Sequence, residues 1–336
     1  MNLNNLEKTL NPYPSFRLKQ AKEAVYVNLI DNWNKASNLP KELRGALNQE
    51  CPLDIKAEII ESKDKQTAKA LVYFVDGFAV ETVLMRHKDG RNTVCVSSQI
   101  GCPLACAFCA TGEQKLTRNL SAAEITEQVI LWARKLKQKN NRVDGVVFMG
   151  MGEPFLNYDE VLKAIRVLNS QEGLNIGARH ISISTSGLTE GIAKLAKESL
   201  QVNLAISLHA PNNQLRAILM PINRKYNVEK VLAAVKNYIA ETRRRVMVEY
   251  LMLGGLNDSE KEAQELASVL KQGLEKLFFV NLISYNSTGK FKPSTQATID
   301  RFKLILEKEK ISVVQRFRFG RDIEGACGQL KGRKMA

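Results

Sequence analysis

The segment at residues 102–109 reads CPLACAFC, which places three cysteines in a C-x3-C-x2-C spacing. Before this segment, short strand-like runs are separated by turns, and after it strand and helix patterns alternate almost to the end of the chain. Alternation of this kind predicts a parallel sheet with helices packed outside it. The cysteine segment therefore marks the beginning of an α/β unit.

About six β-α repeats follow the cysteines, and they predict a partial (β/α)6 barrel over residues 96–330. Ser121 and Glu124 form a capping-box pattern that opens one of its helices. Short polar motifs stand just after the predicted strands, at 152–153, 184–186 and 207–209 and at residue 286. Ligands bind at that end of the strands in barrel folds, so these motifs are candidate binding residues.

Three shorter regions flank the predicted barrel. Residues 1–55 are predicted to form a small helical domain, with helical spacing of apolar residues from Phe16 to Trp33. Residues 56–95 are predicted to form a β-strand extension, with a hairpin turn at Asp76 and Gly77. The basic tail at residues 331–336 is predicted to be mobile.

Composition and charge narrow the class of protein. The chain has 336 residues and a net charge of +14, which favours a polyanionic partner such as nucleic acid. Its start lacks the apolar stretch of a signal peptide and no apolar run approaches 18 residues, so we expect a cytoplasmic protein without a membrane span. Six cysteines in such a protein indicate a metal site or catalysis rather than a disulfide framework.

Three thiolates so close in sequence suit an iron–sulfur cubane. They can bind three irons of a [4Fe–4S] cluster and leave the fourth iron open. An open iron can chelate the amine and carboxylate of a small molecule such as S-adenosylmethionine (SAM). Structural zinc is an alternative that needs a fourth ligand, which Cys95 or Cys327 could supply. Three incidental thiols are a further alternative.

Several ordered motifs narrow this interpretation. The chain resembles the RlmN/Cfr family of radical-SAM RNA methyltransferases, which act on carbon 2 or carbon 8 of adenosine, and the resemblance is firmest over residues 80–330. The motifs that carry it are CVSSQIGC (95–102), MGMGEP (149–154), STSG (184–187), ISLHA (206–210), MPIN (220–223) and ACGQL (326–330). Pro154 after Glu153, together with STSG, looks more like the RlmN branch. The resemblance thus implies methylation at carbon 2, with the carbon-8 reaction of the Cfr branch, which confers ribosomal antibiotic resistance, as the alternative.

The resemblance also implies the ligand sets. It assigns Cys102, Cys106 and Cys109 to the [4Fe–4S] cluster. The residues that it places around SAM, with Glu153 facing the amino group, are Gly152, Glu153, Ser184, Ser207, Leu208, His209 and Asn286.

Three further residues take catalytic roles by the same resemblance. Cys327 accepts a methyl group from one SAM, and a second SAM is cleaved reductively to a radical that activates this methyl group. The activated carbon adds to adenine, Glu81 accepts the ring proton, and Cys95 releases the product by forming a transient disulfide with Cys327. Each turnover therefore consumes two molecules of SAM.

The implied partners are 23S rRNA, the adenosine next to the tRNA anticodon as a second substrate, and an external electron donor such as flavodoxin. We expect a monomer, and the resemblance implies that the helical region at residues 1–55 is an RNA-binding accessory domain. Candidate phosphate contacts are Arg17, Lys19, Lys22, Lys115, Arg118, Arg224, Lys225, Arg243, Arg244, Arg245, Lys331, Arg333 and Lys334. Two rival functions are a non-catalytic RNA-binding protein stabilised by a metal and a radical-SAM enzyme that acts on a small metabolite.

Overall fold

The computed structural model describes residues 1–3, 5–274, 276–317 and 319–334. The amino-terminal region is helical, as predicted, with α1 at Leu6–Leu10, α2 at Phe16–Tyr26 and α3 at Lys41–Glu50. The prediction of a helix from Phe16 to Trp33 was wrong in its second half. The chain leaves the helix after Tyr26, and Leu29 takes a left-handed backbone conformation with φ of 56°.

An antiparallel meander follows these helices. Its strands are β1 at Lys56–Glu61, β2 at Thr67–Tyr73, β3 at Phe78–Arg86 and β4 at Asn92–Cys95. The hairpin predicted at Asp76 and Gly77 is confirmed: Gly77 has φ of +79°, and the backbone N–H of Phe74 donates to the carbonyl of Phe78 at 2.8 Å. The β-strand extension thus forms from local turn chemistry.

Strand β4 joins the antiparallel and parallel halves of one sheet. It pairs antiparallel with β3 and parallel with β7, whose range is Gly145–Phe148. The remaining parallel strands are β8 at Ile181–Thr185, β9 at Asn203–Ser207, β10 at Val246–Met252, β11 at Phe278–Ser284 and β12 at Val313–Gln315. A separate two-stranded sheet, β5 at Gln99–Ile100 and β6 at Arg118–Asn119, flanks the cysteine segment.

Helices connect the parallel strands, so the predicted α/β fold is confirmed. Their ranges are α4 at Ala122–Lys137, α5 at Tyr158–Asn169, α6 at Thr189–Ala196, α7 at Asn213–Leu219, α8 at Val228–Thr242, α9 at Glu260–Gly273 and α10 at Gln296–Lys308. The capping box of Ser121 and Glu124 opens α4, whereas α7 had no counterpart in the sequence analysis. The strand path runs from β1 to β12, so the sheet is an open, partial barrel.

Three apolar cores lie in the described residues. The largest core fills the space between the sheet and its helices, and the smallest packs against Cys106 and Phe108 of the cysteine segment. The third core joins the amino-terminal helices around Trp33, Leu43 and Leu47, and it reaches α4 through Ile130. A separate core of this size is what a small accessory unit needs. The limits of the predicted domains remain predictions. Among the described helices, none has the length and apolar character that a transmembrane segment requires.

The prediction of a mobile tail was wrong for two of its residues. Arg333–Lys334 form strand β13, which pairs antiparallel with Phe78 and Ala79 of β3. Strand β4 pairs with β3 only over Val83–Arg86, so the first residues of β3 leave one edge for the tail. The carboxyl-terminal segment is therefore tied to the sheet.

Candidate active site

A cavity of about 150 Å³ opens at the carboxyl ends of the parallel strands. This is the end at which barrel folds bind ligands. Its lining includes most of the site residues that the sequence predicted: Cys102, Cys106, Cys109, Gly152, Glu153, Ser184, Ser207, His209 and Cys327. The fold therefore gathers motifs that are far apart in the chain around one space.

The three cluster thiols, Cys102, Cys106 and Cys109, lie on the loop after β5 and are each half-buried and free. Burial raises the pKa of Cys102 to about 12, and burial with the neighbouring thiol charges raises the pKa of Cys106 further. Burial disfavours the thiolate form of Cys102 and Cys106, so a cationic group must balance their charge when they ionise. No three metal-binding side chains in the described residues converge on a point that would suit a single ion. Three thiolates on one loop can bind three irons of a [4Fe–4S] cubane and leave its fourth iron open.

Hydrogen bonds tie the cluster loop to distant segments. The backbone N–H of Ala107 donates to the carbonyl of Leu219 at 2.9 Å. The N–H of Ala110 donates to the carbonyl of Gly328 at 2.8 Å, and the hydroxyl of Thr111 donates to the carbonyl of Leu330 at 2.6 Å. The last two bonds place the carboxyl-terminal segment that carries Cys327 directly beside the cluster thiols.

Gly152 and Glu153 form one wall of the cavity after β7. Gly152 has φ of +94°, and a Cβ there would lie 2.5 Å from Cβ of Gln99, so only glycine fits this approach. The Glu153 carboxylate is 3% exposed and accepts hydrogen bonds from the N–H groups of Phe155 and Ser186, at 3.1 and 2.8 Å. Burial raises its pKa. A buried carboxylate held in this way is suited to an ammonium ligand.

Ser184, Ser207 and His209 line the neighbouring wall. The two serine hydroxyls are 3.4 Å apart at the ends of β8 and β9. Nδ1 of His209 accepts a hydrogen bond from the backbone N–H of Leu251 at 3.1 Å, and burial lowers the pKa of this imidazole to about 3. His209 is therefore neutral, with its proton on Nε2, so it is a hydrogen-bonding group rather than a charged one.

Two residues predicted to contact SAM are not in the lining of this cavity. Leu208 belongs to the largest apolar core, where its backbone N–H donates to the carbonyl of Glu249 at 3.1 Å. Asn286 lies in the lining of a second, smaller cavity, and its Oδ1 is buried without a hydrogen-bond partner. Its Nδ2 donates to the carbonyl of Cys327 at 3.5 Å.

The thiol pair, Cys95 and Cys327, meets at this second cavity. Cys95 ends β4 and is buried, whereas Cys327 is half-buried and lines both cavities. Burial and the charge of Cys327 raise the pKa of Cys95 to about 12. Both cysteines are free thiols. The fold thus brings together two residues that the sequence separates widely.

Glu81 lies in neither cavity lining. Its carboxylate pairs with Nζ of Lys69 at 2.8 Å and accepts the backbone N–H of Lys331 at 2.6 Å. It stands on β3 two residues before Val83, which pairs with Cys95 across the sheet. Glu81 therefore lies on the strand that neighbours Cys95, and its carboxylate already binds Lys69 and the backbone of Lys331.

Three charged site residues were missed from the sequence. Arg216 is fully buried and donates to the carbonyls of Ser186, Ser207, Leu208 and Tyr226 and to Oδ1 of Asn223, so it fixes the loops after β8 and β9. Glu249 is buried on β10, and Arg316 follows β12; both line the first cavity. None of the three stands in a motif with a local signal.

Several predicted phosphate contacts already have protein partners. Arg118 pairs with Asp76 at 2.6 Å and with Glu124 at 2.7 Å, so it also fastens the hairpin turn to α4. Lys22 pairs with Glu7 at 3.2 Å, and Lys19 with Glu172 at 3.5 Å. The side chains of Arg333 and Lys334 lie outside the described residues. The basic surface therefore stays a predicted interface.

Comparison with known proteins agrees with this geometry. Residues 96–267 match the Radical SAM superfamily. The chain is 45% identical to a protein of Dictyoglomus thermophilum named as a probable dual-specificity RNA methyltransferase RlmN, over 95% of this chain and 91% of that protein. The chain belongs to the RlmN family of radical-SAM proteins. This agrees with the family resemblance inferred from the motifs.

Two further relatives support the assignment. A Spiroplasma citri protein with the same printed name is 42% identical over 98% of this chain and 94% of its own length. The crystal structure of a radical SAM methyltransferase from Sphaerobacter thermophilus matches 98% of both chains at 41% identity, with a TM-score of 0.92. The RlmN family implies a [4Fe–4S] cluster and SAM, and the cluster thiols and Glu153 form a donor set that fits both.

Proposed function

We propose that the chain methylates carbon 2 of an adenosine in 23S rRNA, with the adenosine next to the tRNA anticodon as a second substrate. The observation that carries the proposal is the position of the thiol pair. Cys95 and Cys327 share one cavity, and Cys327 also lines the cavity of the cluster thiols. A radical-SAM protein that bound RNA without methylating it would have no use for two free thiols beside the cluster site.

The chemistry of adenine explains why such thiols are needed. Carbon 2 lies between two electron-withdrawing nitrogens, so it is a poor nucleophile and cannot take a methyl cation from SAM directly. It can accept a carbon radical instead. Bound cluster and SAM supply the radical, and the protein must supply the carbon in an activatable form.

Cys327 is suited to carry that carbon. As a thiolate it attacks the methyl carbon of one SAM, which forms a new carbon–sulfur bond and displaces S-adenosylhomocysteine. Its place at the boundary of the two cavities lets the same S-methyl group face the SAM wall on one side and the thiol pair's cavity on the other. Asn286 and the cluster loop hold the backbone of this segment.

Release of the product uses Cys95 and Glu81. The Glu81 carboxylate accepts the proton of carbon 2, for which it must exchange its present contacts with Lys69 and the tail. The Cys95 thiolate then attacks the sulfur of Cys327, the bond from this sulfur to the product carbon breaks, and that carbon takes a proton to become the methyl group. The one unpaired electron that radical addition leaves on the ring would return to the bound cluster. The resulting disulfide is reset by an external dithiol reductant.

The position of the new methyl group tests the proposal. Protein-free 23S rRNA is incubated with the reconstituted protein, SAM and a reducing system, digested to nucleosides and analysed by mass spectrometry against both standards. We expect 2-methyladenosine. The appearance of 8-methyladenosine would instead support the Cfr-type reaction. Absence of any methylated nucleoside, with cluster and reductant verified, would contradict an RNA methyltransferase.

A second measurement separates the enzyme from the non-catalytic alternative. Anaerobic reconstitution with iron and sulfide is expected to give a brown protein that cleaves SAM to 5′-deoxyadenosine and methionine. Tight binding of one zinc ion without cluster absorbance would support a metal-stabilised RNA-binding protein. A flavodoxin-like electron donor, the monomeric state and the use of two SAM per turnover are parts of the same proposal.

A further inference from the structure

Helix α7 and the MPIN motif (220–223) border the first cavity but take no part in the reactions proposed for the thiols. Met220 of the motif lies in the cavity lining. Arg216 on α7 is fully buried behind the lining, and Asn223 is buried beside it. Desolvation of a buried arginine is costly, so the partners that compensate for it indicate what the residue does.

The guanidinium of Arg216 joins the loops after β8 and β9. Its Nη2 donates to the carbonyls of Ser186 and Ser207, at 2.7 and 3.3 Å, and its Nε donates to the carbonyl of Leu208 at 3.1 Å. The N–H of Ser186 donates in turn to the Glu153 carboxylate at 2.8 Å. One buried side chain therefore connects both loops, and through Ser186 it reaches the carboxylate that is suited to an ammonium ligand.

Asn223 fixes the direction of this guanidinium. Its Oδ1 accepts a hydrogen bond from Nη1 of Arg216 at 3.0 Å, and its Nδ2 donates to the carbonyl of Asn213 at 3.1 Å. Nη1 of Arg216 also donates to the carbonyl of Tyr226 at 2.7 Å. Because the donors of a guanidinium form a rigid planar fork, holding Nη1 sets the positions of Nη2 and Nε.

The end of α7 binds the cluster loop. The carbonyl of Leu219, the last residue of this helix, accepts the N–H of Ala107 at 2.9 Å. Carbonyls in the last turn of a helix lack partners within the helix, so they are free to make such a bond. Ala107 directly follows the cluster thiol Cys106. Helix α7 thus bonds to the cluster loop through its last carbonyl and to the loops after β8 and β9 through Arg216.

We propose that Arg216, oriented by Asn223, is a positioning residue that sets the affinity of the first cavity for SAM. It keeps Glu153 and the serines of both loops at a fixed spacing from the cluster thiols, without touching the ligand. A ligand that contacts all of these groups at once binds well only if their spacing is held. The inference rests on the proposed function only for SAM as the ligand of this cavity.

Equilibrium dialysis of labelled SAM against anaerobically reconstituted protein, with iron and sulfide contents matched, is the test. Arg216→Met removes every side-chain donor and is expected to weaken SAM binding roughly tenfold or more. Arg216→Lys keeps an ammonium donor without the fork, so its affinity should lie between those of Arg216→Met and the wild type. Asn223→Ala leaves the fork with one acceptor fewer and is expected to weaken binding about threefold.

Arg134→Met is the matched control. Arg134 on α4 is half-buried and donates to the carbonyls of Ile30 and Leu53, so its removal also leaves backbone carbonyls without their donor. It lies outside the cavity lining and is expected to lower the temperature of thermal unfolding without changing SAM affinity. An equal loss of affinity in both variants would reflect a general loss of stability and would overturn the proposal.

A double-variant cycle tests the connection through Ser186. Glu153→Gln should weaken SAM binding by a smaller factor in Arg216→Met protein than in the wild type, because the carboxylate is already displaced there. A purely structural role of Arg216 would make the two losses multiply, and that result would contradict the proposal. If Arg216→Met does not fold, Arg216→Lys takes its place in the cycle.

Two further results would overturn the proposal. One is wild-type SAM affinity in folded Arg216→Met protein. The other is loss of the cluster in this variant, which would make Arg216 a support of the cluster loop instead. Failure of the proposed function is distinguishable, because a wild-type protein that binds SAM but makes no methylated nucleoside would contradict that function while the differences in affinity persisted.

Discussion

The cluster thiols and the thiol pair are built in different ways. The cluster thiols lie within eight residues on one loop, half-buried, and they line a single cavity. The thiol pair comes from a strand end and from the carboxyl-terminal segment, and it meets only because the sheet and the cluster loop hold that segment in place. Residues that are close together in the sequence can hold the cluster that generates the radical. The thiols that carry and release the transferred carbon are brought together only by the folded sheet.

Removal of one cluster thiol gives the largest expected effect on this comparison. Cys106→Ala is expected to abolish the cluster absorbance and to lower SAM cleavage by roughly 10³-fold or more, because two thiolates hold a cubane poorly. Absorbance near 400 nm and release of 5′-deoxyadenosine are the measurements. Cys51→Ala, in a thiol far from the cavity, is expected to leave both unchanged. Retention of the cluster in Cys106→Ala would contradict the assignment.

Removal of the carbon carrier separates the two sets of thiols. Cys327→Ala is expected to keep the cluster and SAM binding and to produce no methylated RNA, since nothing then carries the carbon. Cluster absorbance and nucleoside mass spectrometry are measured on the same preparation. Methylation at the wild-type rate would show that the thiol pair is not part of the path.

The sequence identified these two sets unequally well. The C-x3-C-x2-C spacing alone pointed to a cubane, because its ligands are near neighbours in the chain. Cys95, Cys327 and Glu81 acquired roles only through family resemblance, since no local pattern tells that Cys327 lies beside the cluster loop. Arg216 and Arg316 were missed for the same reason: their function depends on burial and on partners from other strands.

The fold itself was largely predictable, and its exceptions have local causes. Alternating apolar runs and the Ser121–Glu124 capping box predicted the barrel elements. The early end of α2 depends on a left-handed turn at Leu29, and the ordered tail depends on a free edge of β3. Neither tertiary pairing nor a left-handed turn at a leucine has a signal in the apolar periodicity.

Glu153 lines the same cavity as the cluster thiols, and its substitution is expected to have an effect of intermediate size on SAM binding. Glu153→Gln is expected to weaken SAM binding by roughly 10- to 100-fold, because a neutral amide cannot balance a buried ammonium group. Burial raises the pKa of Glu153, so wild-type affinity should fall as pH falls through that pKa, while the variant stays insensitive over the same range. Equilibrium dialysis with labelled SAM at several pH values measures both. A parallel fall in the variant would assign the pH effect elsewhere.

Substitution of Cys51 is expected to have the smallest effect, because this residue belongs neither to the cluster thiols nor to the thiol pair. Cys51→Ser places a hydroxyl in the amino-terminal core and is expected to lower the free energy of unfolding by about 1–3 kcal/mol. Thermal unfolding measures this cost, and Cys51→Ala serves as the apolar control. SAM cleavage by the folded variant is expected to be unchanged; its loss would extend the catalytic cysteines to the accessory unit.

The central claim is that the transferred carbon passes through Cys327 and is released by Cys95. The most direct measurement is mass spectrometry of Cys95→Ala protein after one anaerobic reaction with RNA and SAM. The account predicts a covalent adduct in which Cys327 is joined through one carbon to the target adenosine, with little free product. Normal turnover of this variant without an adduct would contradict it.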